Sequence, residues 1–155
     1  MLVFSEYQTD TIDLALDFYG YEDCPKNYEF GPSVRDNFVL HFITKGKGVF
    51  HINKNEIHLE AGDLFLLPKN MVTYYQADAE DPWSYYWIGI SGTKVSDFMR
   101  FSTLHAKGFL KKDEVETERI GLFMEQLVHK AEDSKMTSHY QLHLLSQIYE
   151  LLFLI

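Results

Sequence analysis

The sequence predicts a mainly β chain, a small antiparallel sandwich or barrel followed by helices. Three observations carry this. Short runs rich in Phe, Tyr, Val and Ile follow one another at intervals of ~8–12 residues, each broken by a turn signal. Aromatic residues make up 15% of the chain, which suits pleated, half-buried strands. After Gly92 the apolar period changes from alternation to helical spacing.

In chain order, Met1–Asp10 is short and poorly periodic and reads as an arm. Ile12–Cys24 carries an alternating run. Pro25–Ser33, with two prolines and two turn pairs, reads as a loop. At least seven strands are expected in all, and most of them lie between Phe38 and Ser91. Phe38–Thr44 is a strand, Lys45-Gly46-Lys47-Gly48 a turn, and Val49–Asn53 and Glu56–Glu60 are strands. The segment from Gly62 to Gly92 then supplies Asp63–Pro68, Met71–Ala77 and Ser84–Ser91. Val95, Phe98 and Met99 suggest a short helix. Asp113-x-x-Glu116 and Ser138-x-x-Gln141 resemble capping boxes. Behind the first, Ile120, Phe123, Leu127 and Ala131 recur at helical spacing; behind the second come Tyr140, Leu144, Ile148, Leu151, Leu152 and Ile155. The organisation expected is a barrel with its arm over 1–92 and a helical region over 93–155. The apolar ending Leu151–Ile155 carries no stop signal, so a further domain is expected beyond it.

Side chains alternate across a strand. Trp83, Tyr85, Trp87 and Gly89 therefore share one face, and Met71, Thr73, Tyr75 and Ala77 share another. Tyr75, Tyr85 and Trp87 would line a barrel as an aromatic pocket for a small polar, flat ligand; the alternative is an ordinary aromatic core.

The net charge of −9, with no dense Lys/Arg cluster, argues against this piece gripping nucleic acid by itself. A single cysteine, Cys24, forms no internal disulfide and fits a reducing compartment. The first residues lack a signal-peptide pattern, and no apolar run approaches the ~20 residues that span a bilayer. A cytoplasmic, soluble protein without a membrane partner is expected.

The spacing Gly62-x5-Pro68 resembles the second motif of cupins, small barrels with a strand–turn–strand metal site. Here Asn70 stands at the motif's second glycine, Thr73 at its metal-binding histidine and Ala77 at its final asparagine. The histidine pair and glutamate of the first motif are missing before Gly46. The resemblance thus implies a cupin-like double-stranded β-helix, a jelly-roll barrel, in which a neutral pocket has replaced the metal. No metal and no cofactor are expected. His139 and His143 stand four apart on a helix, but no zincin glutamate lies between them. Cys24 has no evident base.

A longer pattern is more specific. It comprises Phe30-Gly31-Pro32, Arg35-Asp36, Phe38, Leu40-His41, Ile43 and Gly46-Lys47-Gly48, then Gly62-Asp63, Phe65-Leu66 and Pro68. Tyr75, Ala77-Asp78, Pro82-Trp83, Tyr85, Trp87 and Gly92 complete it. Together they resemble the N-terminal effector-binding domain of AraC-type transcriptional regulators, most of all the raffinose and multiple-sugar branch. The match runs from about Tyr19 to Gly92.

That resemblance implies a sugar effector held in the barrel, a homodimer formed through helices, and DNA bound only by a separate C-terminal domain with two helix-turn-helix motifs. By motif, Trp87 matches the ring that stacks on the sugar, Tyr85 a polar contact, and Tyr75 a tyrosine facing the cavity. Arg35 lies a few residues from the family's hydroxyl-binding arginine. Leu127, Leu144 and Ile148 are the expected seam of the dimer, with packing against the barrel as their alternative. A regulator domain rather than an enzyme is expected. Two other readings stay open: a metal-free cupin isomerase or epimerase using His41, His51 or Tyr85, and a simple carbohydrate-binding module.

Overall fold

The computed structural model describes residues 2–6, 12–114, 116–133 and 138–155, without the side chains of 2–6 and 131–139. Among them run ten strands and four helices: β1 (Leu2–Glu6), β2 (Ala15–Asp23), β3 (Glu29–Ser33), β4 (Phe38–Lys45), β5 (Lys47–Ile52), β6 (Asn55–Glu60), β7 (Leu64–Leu67), β8 (Thr73–Ala77), β9 (Ser84–Ser91), α1 (Thr93–Met99), α2 (Thr103–Lys107), β10 (Phe109–Leu110), α3 (Thr117–Asp133) and α4 (Ser138–Leu154).

The strands form two antiparallel sheets, ordered β1-β2-β9-β4-β7-β10 and β3-β8-β5-β6. Pairing is nested: β5 with β6, β4 with β7, β3 with β8 and β2 with β9. A long hairpin rolled up in this way is the jelly roll, so the cupin-like fold expected from sequence is the fold found.

The larger sheet is buried on both faces. Val39, Ile43, Phe65, Leu67, Tyr85 and Trp87 point toward the smaller sheet. Phe38, Leu40, Leu64, Leu66, Tyr86, Ile88 and Ile90 point the other way, into a second core roofed by the helices. Both alternating sets are apolar, which is why Phe38–Ile43 and Tyr85–Ile90 read as nearly unbroken hydrophobic runs. The smaller sheet has one wet face. In β5 and β8 the buried positions alternate with partly buried or exposed ones.

Helix α3 comes close to the sheet because of one residue. A Cβ on Gly121 would lie 2.1 Å from the ring of Phe42. The position contributes a flat spot on an otherwise apolar helix face.

Several expectations need correction. Pro25–Ser33 is not all loop, because β3 occupies its second half. Among the described residues it pairs only with β8, through an irregular register, and at such an edge the missing N–H of Pro32 costs nothing. The expected Gly-rich turn narrows to Gly46, with Lys47 and Gly48 already in β5. Residues 2–6 of the expected arm form β1, paired with β2; the rest of the arm lies outside the described residues. Asp113 does not cap a helix. Residues 112–114 form a turn, Glu114 accepts from the Lys111 N–H at 2.9 Å, and α3 begins only at Thr117. The Ala131 and Ser138 side chains lie outside the described residues. Helix α2 and strand β10 are too short to leave a periodic signal.

Leu127, Leu144 and Ile148 are fully buried within the single chain, in the core shared with the sheet. They have no surface left for a second copy, so they are packing residues first. The apolar chain end is docked as well: Leu151 and Ile155 are buried, and the Ile155 carbonyl accepts from the Thr103 N–H at 3.1 Å.

One buried carboxylate ties the barrel to the segment before α3. Asp63 is 1% exposed and accepts from the N–H of Glu60 at 2.8 Å, the N–H of Lys112 at 2.9 Å and Lys111 Nζ at 3.2 Å. Removing it strands two backbone donors, while the Lys111 ammonium keeps the His58 carbonyl. Asp63→Ala is expected to cost about 2–4 kcal/mol in urea unfolding, and Asp63→Asn less, because the amide oxygen still accepts.

Candidate functional site

Between the two sheets lies a cavity of about 380 Å³. Its walls follow from strand register. Glu22 on β2 stands opposite Tyr85 on β9, and His41 on β4 stands opposite Trp87. From the smaller sheet, Phe30 on β3 pairs with Tyr75 on β8, their rings stacked at 5.5 Å. Period-two alternation turns all of these side chains inward.

Every one of the four residues expected at a ligand site, Arg35, Tyr75, Tyr85 and Trp87, lines this space. The two tryptophans of the shared face separate in role. Trp83 is wholly buried and stacks on Phe65 at 5.4 Å, closing the far end of the barrel. Trp87 keeps 9% of its surface open, so it is the indole that a ligand can meet. Its ring stands edge-on to Tyr85 at 5.9 Å. Phe18, another cavity residue, packs directly on Gly89, where a Cβ would fall 2.3 Å from its ring.

Arg35 sits in the turn between β3 and β4. Its carbonyl accepts from the Asn70 N–H at 2.7 Å, and its backbone bridges to Lys69. The guanidinium lies over Phe30 at 5.1 Å and Phe18 at 5.5 Å from the ring centroids. Such a bed orients the cation without consuming its donors. Among the described residues its Nε has no hydrogen-bond partner.

Two more polar residues join the wall: His41, which the motif pattern contains but to which the sequence gives only an acid/base alternative, and Glu22, which no motif reaches. His41 is 2% exposed, stacked on Phe65 at 4.3 Å and edge-on to Tyr85 at 4.9 Å, and among the described residues its Nδ1 has no hydrogen-bond partner. Burial, helped by the Arg35 charge, pushes its pKa down to about 3, so the ring is neutral at pH 7. Glu22 is partly buried, and desolvation raises its carboxyl above the usual range. The Tyr85 hydroxyl donates to Glu22 Oε2 at 3.4 Å. Burial likewise raises the phenols of Tyr75 and Tyr85, which stay protonated donors. Alternation alone could have found both residues, since His41 lies two after Val39 and Glu22 lies four after Phe18.

The other singled-out residues lie elsewhere. His51 packs beside Tyr74 on the outer side of β5, and His58 pairs with Glu56 at 3.2 Å. Thr73 and Ala77, at the replaced metal positions, are buried. Among the described residues no three His, Cys, Asp or Glu side chains converge. Cys24 is buried and its thiol is pushed up to about 12 by desolvation, so it holds no thiolate near neutrality.

His41 gives a pH signature. The unfolded imidazole takes a proton near pH 6.5, whereas the folded one refuses it down to about 3. Stability is therefore full above pH 6.5 and falls as the pH drops through that window. In His41→Phe this component of the slope should vanish, as measured by denaturant midpoints from pH 3.5 to 7.5. Cys24 should resist an aromatic disulfide reagent at pH 8 and react fully only on unfolding.

The chain matches the family model described as AraC-like ligand binding domain over residues 15–152. It is 39% identical over 150 residues to the Msm operon regulatory protein of Streptococcus mutans serotype c, covering 97% of this chain and 53% of that one. It is 43% identical over 98 residues to the raffinose operon transcriptional regulatory protein RafR of Pediococcus pentosaceus, covering 61% and 35%. With the lactose operon transcription activator of Staphylococcus xylosus it shares 31% over 120 residues, covering 77% and 43%. The chain thus spans about half, or less, of the length of these relatives. Among solved structures, YhaK of Escherichia coli superposes with a TM-score of 0.51 at 14% identity, covering 61% of this chain and 46% of that one, a likeness of fold alone. With a family match spanning both the barrel and the helices, the chain belongs to the AraC-like ligand binding domain family.

Proposed function

We propose that the chain is the sugar-sensing domain of a transcriptional regulator and that it does not itself turn over the sugar. The observation that carries this is the cavity wall: one open indole, Trp87, beside the donors of Arg35, Tyr75 and Tyr85. A pyranose has an apolar C–H face and a rim of hydroxyls. A flat ring covers the face at roughly 1–3 kcal/mol, and fixed donors take the rim. Those donors also discriminate, because a buried donor left unpaired is costly. The names of the relatives, regulators of the raffinose and lactose operons among them, support a saccharide as the small molecule.

In this reading occupancy acts on a dimer, and DNA is bound by a part of the regulator other than this acidic domain. The sugar shifts the equilibrium between two arrangements by its differential affinity for them. The surface available for pairing is the outer face of α4, where Leu142, Tyr149 and Phe153 are exposed. Their spacings of seven and four residues set them on one stripe. An isologous twofold contact through that stripe replaces the seam expected from sequence.

The Glu22–Tyr85 pair is the one feature an isomerase or epimerase would also need, a carboxyl of raised pKa beside a phenol. A thermal-shift screen with raffinose, lactose, melibiose and galactose, assayed in parallel for product, separates the readings. A saccharide should raise the melting point by mass action with no product formed. Trp87→Ala should lose about 10-fold or more in affinity. Unimpaired binding by Trp87→Ala sinks the stacking role, and turnover sinks the sensor. In sedimentation the wild type is expected as a dimer and Leu142→Glu/Phe153→Glu as a monomer.

A further inference from the structure

Resting on that sugar-binding reading, we infer that Glu22 is a specificity-determining residue, whose carboxylate accepts a hydrogen bond from a ligand hydroxyl that the cavity's donors cannot serve. Glu22 lies on β2, inward-facing and in register with Tyr85, at the cavity wall. The remaining polar side chains around it are the guanidinium of Arg35, the phenols of Tyr28, Tyr75 and Tyr85, and neutral His41. Arg35 only donates; the protonated phenols and neutral His41 can each accept as well as donate, but without a charge. Among the described residues Glu22 is the wall's sole anionic acceptor.

Among the described residues its one hydrogen bond is the long one from Tyr85, at 3.4 Å, and no salt bridge engages it. A carboxylate has room for about four such bonds, so among the described residues most of its capacity is unused at the cavity wall. A saccharide hydroxyl both donates and accepts. On a sugar lying against Trp87, one part of the rim then accepts from Arg35 while another donates to Glu22. Charge-assisted bonds of this kind are roughly twice as strong as neutral ones. The same carboxylate repels an acid group brought against it, which favours neutral saccharides over uronic acids.

The test is a cycle between protein and ligand. Binding of galactose and of its 2-, 3-, 4- and 6-deoxy analogues is measured by calorimetry for the wild-type chain, Glu22→Gln and Glu22→Ala, with galacturonic acid as the anionic probe. The wild type should lose about 10-fold for one deoxy analogue, and Glu22→Ala should lose about as much for galactose. For that analogue Glu22→Ala should bind no more weakly than the wild type, because the partner is already gone. Glu22→Gln, which keeps the shape, guards against a folding defect; its melting point without sugar should match the wild type, and it should narrow the preference for galactose over galacturonic acid. Losses that add for every analogue, or galactose affinity unchanged in both variants, overturn the role of Glu22 while leaving the sensor intact. If none of these sugars binds the wild type, whereas Trp87→Ala and wild type behave alike throughout, the sugar reading and this inference fall together.

Discussion

The structure depends on a single sheet buried on both faces. Strand β9 lies in its middle, between β2 and β4, and its residues alternate between two cores. Tyr85 and Trp87 face the cavity; Tyr86, Ile88 and Ile90 face the helices. Antiparallel sheets commonly keep one face for water, and the smaller sheet here does so. The larger one has given up that face to carry helices. Cavity and helix platform are therefore the two sides of one strand, separated by the thickness of a backbone.

This arrangement gives the proposed relay a physical basis. The Tyr86 hydroxyl reaches across to α3, 3.3 Å from His129 Nε2 and 3.5 Å from Glu125 Oε1. Its neighbours in sequence on either side line the cavity. In the proposed reading, a tilt of β9 that improved stacking on Trp87 would move Tyr86 against the helix. Packed cores respond to such shifts by choosing between discrete arrangements rather than by bending continuously.

The fold was legible in the sequence wherever periodicity was strong. β4, β5, β6, β7, β8 and β9 and both long helices fall within a few residues of their expected bounds, because each runs long enough to show its period. β3 was obscured by its prolines, which an edge strand tolerates and a central one does not. β1, α2 and β10 are placed by pairing and docking rather than by local pattern. At the site, the aromatic wall was readable because β8 and β9 alternate cleanly. Glu22 and His41 were harder, since a lone polar residue in an apolar strand has the same local signature whether it faces a cavity or is merely satisfied in a core. The burial of Leu127, Leu144 and Ile148 was undecidable from sequence, as one apolar stripe serves a barrel or a twin equally well.

Gly121 lies where, in the proposed reading, sensing and response can be parted. A methyl group there would touch nothing in the cavity, yet it would collide with Phe42 on the opposite side of the sheet. The helix would have to lift, like a lever raised off its fulcrum by a shim. Such a protein would still recognise its effector while the message stopped at the sheet, so deafness and muteness in this domain become separable faults.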